Sequence, residues 1–149
     1  MLKVDAPQLA RFVNPVVKRL LRIGMPLGGT TLLTVRGRRS GVPRQTAVTL
    51  TPEDDGWILI SPYGEADWVK NLRAAGTATV TRRRRDIPVT ATELPPDEAA
   101  PRLRQIYATM PASARRMMVE YFHHLEPDAP LDRWLDEVRF HPVFRLRPA

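Results

Sequence analysis

The sequence predicts an α+β fold in which a small antiparallel β-barrel of about six strands carries several helices. Three observations favour this fold. Short segments rich in β-branched residues alternate with polar or glycine-rich turns. Amphipathic segments with helical spacing lie before, between and after these strands. Closing so many short strands into a barrel removes the exposed edges that an open sheet would leave.

The length and composition fit one globular domain over residues 1–149. Hydrophobic residues make up 43% of the chain and charged residues 26%, which is ordinary for such a domain. Cysteine is absent, which excludes disulfide scaffolds, thiol catalysis and cysteine-ligated metals and fits the cytoplasm. Neither an apolar run long enough to span a bilayer nor a secretory leader is expected.

The net charge of +7 comes mainly from arginine, with 20 Arg against 3 Lys. Two clusters stand out, one over residues 36–44 and one at Arg82–Arg85. Such a basic surface attracts nucleic acid, anionic lipid or a polyanionic small molecule. Nucleic acid is not expected, because no aromatic residues alternate with the arginines on the basic strands and no recognition helix is evident.

The chain begins with a predicted amphipathic helix over about residues 5–23, with Asp5 as its cap and Pro7 in its first turn. Two interpretations of this helix are open. It packs against the core, which we favour, or it makes a peripheral contact with a membrane surface.

Six strands and two further helical segments follow. The predicted strands are Thr31–Arg36, Arg44–Thr51, Trp57–Ser61, Thr77–Thr81, Ile87–Leu94 and Val143–Arg147. The predicted helical segments are Asp67–Ala75 and Pro96 to about His124.

The turn from Gly37 to Arg44, with the sequence GRRSGVPR, is the most informative segment. Its two glycines allow successive backbone N–H groups to point towards one anion. Ser40 adds a hydroxyl donor, and three arginines add the planar groups that suit phosphate or carboxylate. The alternative interpretation is a solvated hairpin with ordinary surface arginines.

A second segment, Ser61-Pro62-Tyr63-Gly64, follows a predicted buried strand and precedes a helix that contains Trp68. Small residues at such a turn allow a flat ligand to approach the backbone closely, and Trp68 could form one wall of its site. The alternative is that Trp68 belongs to the core.

Together these segments carry a resemblance. Gly-Arg-x-Ser-Gly-x-x-Arg between two strands, then Ser-x-x-Gly, then Asp-Trp-x-x-Asn-Leu-x-Ala, resembles the deazaflavin-dependent nitroreductase family, the coenzyme F420-dependent quinone and nitro reductases of actinobacteria. The closing His141-Pro142-Val143-Phe144-Arg145-Leu146 is similar to the last strand of that family. The resemblance implies a split β-barrel like that of the FMN-binding oxidoreductases.

The resemblance also implies cofactor-binding residues. Arg38, Arg39, Ser40 and Arg44 match positions that hold the phosphate and the glutamyl tail of the coenzyme. Gln45 and Thr46 begin the strand that approaches the ring system. Ser61, Pro62, Tyr63 and Gly64 match the loop against the ring, and Trp68 and Asn71 match the helix that closes the site. Around Glu65 and Ala66 the chain lacks a longer insertion that is found in many relatives that reduce nitro compounds.

The expected function is therefore hydride transfer from reduced coenzyme F420 to a quinone, nitro compound or other conjugated acceptor. In such chemistry the protein supplies placement, electrostatics and exclusion of water. Tyr63, Tyr107, Tyr121 or water could deliver the proton. Two alternatives stay open: a reductase that binds FMN, and a non-enzymatic module that binds an anion or an apolar ligand.

Two further expectations concern partners and the remaining histidines. The chain could form a homodimer, since barrels of this kind often pair. Surface or helix-cap positions are expected for His123, His124 and His141, because adjacent histidines on a helix diverge and make a poor metal site.

Overall fold

Six antiparallel strands close into a barrel in the computed structural model, which describes residues 30–149. The strands are β1 Thr30–Arg36, β2 Pro43–Glu53, β3 Gly56–Ile60, β4 Thr77–Arg82, β5 Arg85–Glu93 and β6 Val143–Pro148. Four helices accompany them: α1 Asp67–Ala75, α2 Pro96–Thr109, α3 Ala112–Met118 and α4 Leu131–Glu137, followed by a 3-10 turn at Val138–Phe140. The order around the barrel is β1-β2-β3-β6-β5-β4, and β4 pairs with β1.

The six predicted strands and the first predicted helical segment of this region are confirmed. The segment expected from Pro96 to about His124 differs, because it forms two helices rather than one continuous stretch. Met110 has φ −63° and ψ 140°, an extended conformation that the ring of the following Pro111 favours, and α2 ends there. The predicted helix over residues 5–23 lies outside the described residues, and its membrane contact stays a prediction. No helix within residues 30–149 is long and apolar enough to cross a membrane.

The barrel places several loops at the same end. β6 lies between β3 and β5, with Ile60 opposite Val143 and Glu93 opposite Phe144. Because every neighbouring pair is antiparallel, β1, β3 and β5 end where β2, β4 and β6 begin. We call this the loop end of the barrel. The β1–β2 loop, the β3–α1 loop and the residues before β6 therefore meet there.

Alternation along the strands divides the apolar residues between two cores. Leu59 and Phe144 point into the barrel, whereas their neighbours Ile58 and Val143 point outwards against the helices. The outer core also contains Tyr107, Phe122 and Trp134, which pack with ring centroids 4.5 to 6.3 Å apart. Tyr107 is thus a core residue, and the structure does not place it where it could donate a proton to a ligand.

Glu53 joins the barrel to α2. One of its carboxylate oxygens accepts a hydrogen bond from Arg102 Nε at 2.5 Å, and the other lies 3.4 Å from Arg145 Nε on β6. Burial alone would raise the pKa of Glu53, but the hydrogen bonds and charges of the two arginines together lower it below its usual value. The carboxylate is therefore stabilised in its charged form by the fold.

This arrangement predicts how stability depends on pH. Because the pKa of Glu53 is lower in the folded state, its stabilising contribution is present above its unfolded pKa and is lost as the pH falls through the folded value. We expect the free energy of unfolding to fall more steeply between about pH 5 and pH 3 in the wild type than in Glu53→Gln. Urea unfolding at a series of pH values measures this, and parallel curves for the two proteins would contradict it.

Candidate functional site

A large cleft opens at the loop end of the barrel, with a volume of about 1110 Å³. Its walls come from the β1–β2 and β3–α1 loops, the start of β2, α1 and two segments around residues 121–123 and 139–141. Eleven of the twelve site residues predicted from sequence line it: Arg38, Arg39, Ser40, Arg44, Gln45, Thr46, Pro62, Tyr63, Gly64, Trp68 and Asn71. The twelfth, Ser61, is fully buried behind the wall.

The β1–β2 loop, residues 37–42, is held in shape by its own hydrogen bonds. The Gly37 N–H donates to the Val42 carbonyl, and the Gly41 N–H donates to the Gly37 carbonyl, both at 2.9 Å. Gly41 has a φ of +73°, which glycine adopts without a side-chain penalty. Ser40 Oγ accepts from the Val42 N–H at 3.1 Å, so the hydroxyl hydrogen of Ser40 is left to donate.

Asn71 anchors this loop to α1. Its side-chain oxygen accepts the backbone N–H of Arg38 at 3.1 Å and the Nη1 of Arg38 at 2.8 Å. The other terminal nitrogen of Arg38 lies 3.4 Å from an oxygen of the exposed Asp67. Two of the residues predicted to hold a cofactor, Arg38 and Asn71, therefore bind each other and fix the loop against the helix.

Other cations of the cleft have no such partner. Within residues 30–149, Arg39, Arg44 and Lys70 pair with no carboxylate. Of the two carboxylates on the wall, Glu65 binds Arg73 at 3.0 Å and Asp67 faces Arg38. The cleft is therefore net positive and suited to an anionic ligand.

The β3–α1 loop forms another part of the wall. The Ser61 hydroxyl donates to the Gly64 carbonyl at 2.5 Å, and Gly64 has a φ of +79°. The Ser61 N–H donates to the Pro142 carbonyl at 3.0 Å, which attaches the loop to the segment before β6. In the described part of the chain, the backbone N–H groups of residues 63–65 have no acceptor. These donors could bind the polar edge of a ring.

Two tyrosines stand together on the wall. The rings of Tyr63 and Tyr121 meet edge to face with centroids 4.8 Å apart. Burial raises the pKa of the Tyr63 hydroxyl above its usual value, and Tyr121 raises it further. Tyr63 therefore stays protonated near neutral pH, where its hydroxyl can donate a hydrogen bond but is a poor acid.

Trp68 belongs both to the cleft and to the core. It is half-buried, lines the cleft, and packs at a tilt against Phe144 inside the barrel, with centroids 6.3 Å apart. The two interpretations of this residue from sequence are therefore compatible. Gln45 and Thr46, also half-buried, lie on the same wall at the start of β2.

Sequence reasoning missed the wall contributed by the C-terminal third of the chain. His123, Arg139, Phe140 and His141 all line the cleft. No local pattern marks these residues as part of a site, because they reach it through the placement of β6 beside β3. The motif that begins at His141 indicated a strand and nothing about a cleft.

His141 caps the 3-10 turn at Val138–Phe140, which is one of the two positions expected for it, but the surface alternative is wrong. His141 is buried, stacks on Phe122 with centroids 4.1 Å apart, and its Nδ1 lies 3.3 Å from the Ser61 carbonyl oxygen. His123 is more exposed, and its Nδ1 lies 2.8 Å from each oxygen of the buried Glu137. Within residues 30–149, no cluster of histidine and carboxylate side chains is arranged to hold a metal ion.

The anchoring role of Asn71 is testable. Asn71→Ala removes the acceptor of the Arg38 N–H and should lower the free energy of unfolding by about 1–3 kcal/mol. Asp67→Ala, which removes the exposed contact to the same arginine, should have a much smaller effect. Urea unfolding measures both, and equal losses in the two variants would contradict this account.

The sequence model of the F420H(2)-dependent quinone reductase family matches residues 9–121. No curated protein matches the chain significantly.

Several solved structures are similar to this chain. A pyridoxamine 5′-phosphate oxidase-related, FMN-binding protein from Nostoc punctiforme is 12% identical, with 97% of this chain and 81% of that chain covered and a TM-score of 0.56. The heme storage protein HutZ from Vibrio cholerae is 13% identical, with coverage of 91% and 89% and a TM-score of 0.53. An F420-H2-dependent reductase, FDR-A, is 20% identical, with coverage of 80% and 94% and a TM-score of 0.49.

The first two likenesses establish a split barrel of the FMN-binding type and, at such low identity, the fold alone. The family match spans most of the chain and covers both loops that line the cleft. It favours an enzyme over a non-enzymatic binding module and coenzyme F420 over FMN. The chain belongs to the F420H2-dependent quinone reductase family and is a deazaflavin-dependent oxidoreductase with coenzyme F420 as its cofactor.

Proposed function

We propose that this enzyme reduces a quinone or a similar conjugated acceptor in the cleft at the loop end of the barrel. The observation that carries the proposal is one cavity that joins cations to a wall of aromatic side chains, and no carboxylate of residues 30–149 pairs with Arg39, Arg44 or Lys70 there. The family description supports a quinone as the acceptor.

The residues present fit an anionic coenzyme with a flat ring. Arg39 and Arg44 offer planar donors that no carboxylate of residues 30–149 occupies. The Ser40 hydroxyl and the loop that carries it would bind the phosphate or the carboxylates of the tail. The β3–α1 loop, with its N–H groups at residues 63–65, would hold the ring edge.

In this proposal each wall has a separate task. The coenzyme, when bound, supplies the hydride. Arg39, Arg44 and Ser40 position it through its anionic groups, while Arg38 and Asn71 keep their loop in place. Tyr63, Tyr121 and Phe140 exclude water from one side of the cleft and offer flat faces to an aromatic acceptor.

Pairing of two copies, proposed from the behaviour of similar barrels, and a cytoplasmic location stay predictions. Size-exclusion chromatography with light scattering measures the first, and cell fractionation the second.

The tail-binding role predicts how arginine variants behave. Arg44→Ala and Arg39→Ala should each weaken binding of coenzyme F420 by about tenfold or more, because each removes a charge-assisted hydrogen bond. Arg85→Ala is the matched control. It removes the same charge from an exposed residue at the opposite end of the barrel and should change the affinity little.

Fluorescence titration of the coenzyme measures these affinities. Equal affinities in Arg44→Ala, Arg39→Ala and the wild type would contradict the tail-binding role. A parallel titration with FMN should show weaker binding than the deazaflavin, and tight FMN binding without deazaflavin binding would contradict the cofactor fit.

The acceptor is tested by turnover. With reduced coenzyme F420, we expect kcat/KM for menadione to exceed that for a nitroimidazole, as the family description implies. Coenzyme oxidation followed by absorbance measures both rates. Turnover of the nitro compound without turnover of any quinone would overturn the proposed acceptor and leave the cofactor unaffected.

A further inference from the structure

A buried carboxylate lies directly behind the aromatic wall of the cleft. Glu137, the last residue of α4, is 5% exposed. Both of its oxygens lie 2.8 Å from His123 Nδ1, and Oε1 lies 3.7 Å from His141 Nε2. Burying a carboxylate is costly unless it is paired, so the fold places this group where imidazole compensates it. The proposed tail and ring contacts do not use this arrangement.

Of the two histidines beside Glu137, His123 is more exposed than His141. Its side chain is 46% exposed and packs 4.8 Å, centroid to centroid, from the ring of Phe140. With Nδ1 held by Glu137, Nε2 is the nitrogen without a partner in the described part of the chain. A carboxylate on Nδ1 fixes the orientation of the ring.

The backbone keeps His123 in an uncommon conformation. Its φ is +54°, and that of His124 is +56°, in a region that residues other than glycine adopt at a cost. The His123 N–H donates to the Glu120 carbonyl at 3.1 Å, and the His124 N–H donates to the Val119 carbonyl at 2.9 Å, which holds the turn. This turn carries the His123 side chain to the cleft, while His124 does not line it.

Two of the three tyrosine candidates, Tyr107 and Tyr63, are less suited to give up a proton. Tyr107 lies in the outer core, and the pKa of Tyr63 is raised by burial. Imidazole is the side chain that gains and loses a proton near neutral pH, so it can donate to a product and be reprotonated by solvent.

We propose that His123, oriented by Glu137, donates the proton that completes reduction of the acceptor. This inference rests on the proposed function. The quinone gains a hydrogen with its bonding electron pair as the carbon–hydrogen bond of the reduced coenzyme breaks, and becomes a hydroquinone monoanion. The anionic oxygen takes the proton of His123 Nε2, and His123 is reprotonated from solvent. The second hydrogen of the reduced coenzyme leaves to solvent as a proton, so atoms and electrons balance.

The test compares His123→Asn with the matched control His124→Asn. Asparagine tolerates positive φ and can still donate to Glu137, but it has no proton to transfer. We expect His123→Asn to lower kcat for menadione by about 100-fold with little change in KM, and His124→Asn to leave both unchanged. Glu137→Gln should lower kcat by a smaller factor. A wild-type kcat in His123→Asn and Glu137→Gln would overturn the proposal.

A second acceptor separates proton donation from a structural effect. N-methylacridinium accepts a hydride and needs no proton from the protein. Its turnover should be nearly the same in the wild type and in His123→Asn, and a 100-fold loss with both acceptors would contradict proton donation. Failure of the wild type to reduce any quinone, with acridinium still reduced, would instead overturn the proposed acceptor.

The dependence of kcat on pH provides a further test of proton donation by His123. Among the described residues, Glu137 contacts the imidazole and His141 lies beside Glu137, while Arg139 and Tyr121 line the same cleft. Because an acid must be protonated to act, kcat for menadione should fall with rising pH in the wild type and not in His123→Asn. Identical profiles in the two proteins would contradict the proposal.

Nitrogen NMR of the imidazoles gives a readout that does not depend on turnover. In the protein without coenzyme, His123 Nδ1 should carry a proton that is hydrogen-bonded to Glu137, and Glu137→Gln should shift the Nδ1 resonance while leaving His124 unchanged. Menadione added to the protein loaded with oxidised coenzyme should shift His123 Nε2 and not His124. No response of His123 to either change would contradict its assigned place.

Discussion

Insertion of β6 between β3 and β5 is the constraint on which the rest of this structure depends. Without β6 the two strands would present unpaired edges, and the barrel would be an open sheet. The same pairing brings the residues before β6 next to the β3–α1 loop, where the Ser61 N–H donates to the Pro142 carbonyl. One set of backbone hydrogen bonds therefore closes the core and assembles two of the walls of the cleft.

The arginines of the β1–β2 loop and of the start of β2 fall into two groups, one bound to neighbouring side chains and one available to a ligand. Arg38 is occupied by Asn71 and Asp67, so its charge is largely used in fixing the loop. Arg39 and Arg44 are exposed on the cleft wall, where the described residues offer them no carboxylate. Residue type alone does not distinguish the two groups. Their difference arises from which side chain of α1 lies beside the loop.

Local signals were sufficient to predict much of the fold. β-branched runs and their turns indicated all six strands, and helical spacing predicted α1 with the bounds that the structure has. The helical segment predicted from Pro96 extends past the end of α2, although Pro111 is visible in the sequence and disfavours a helical Met110. α4 was not predicted, because of its seven residues only Trp134 and Glu137 are buried, which is too few for a clear apolar stripe.

The residues of the cleft also fall into a part that local sequence signals predict and a part that they do not. Its loops at residues 37–46 and 61–71 carry dense local motifs, so sequence could nominate them together. His123 and Glu137 carry none, and the motif at His141 indicates only a strand. The contacts among these three residues depend on helix packing and on strand pairing across the barrel. The sequence of α4 alone does not predict that Glu137 is buried, since an acidic residue at the end of a short polar helix is usually solvated.

The pairing of Trp57 with Leu146 joins residues far apart along the chain. During synthesis, β3 and β5 cannot pair with β6 until residues 143–148 have left the ribosome. Sheets closed by such distant segments form slowly, and until they close, their unpaired strand edges are exposed to other chains. β6, which closes the barrel, is therefore also the strand whose late synthesis leaves the folding chain exposed to aggregation.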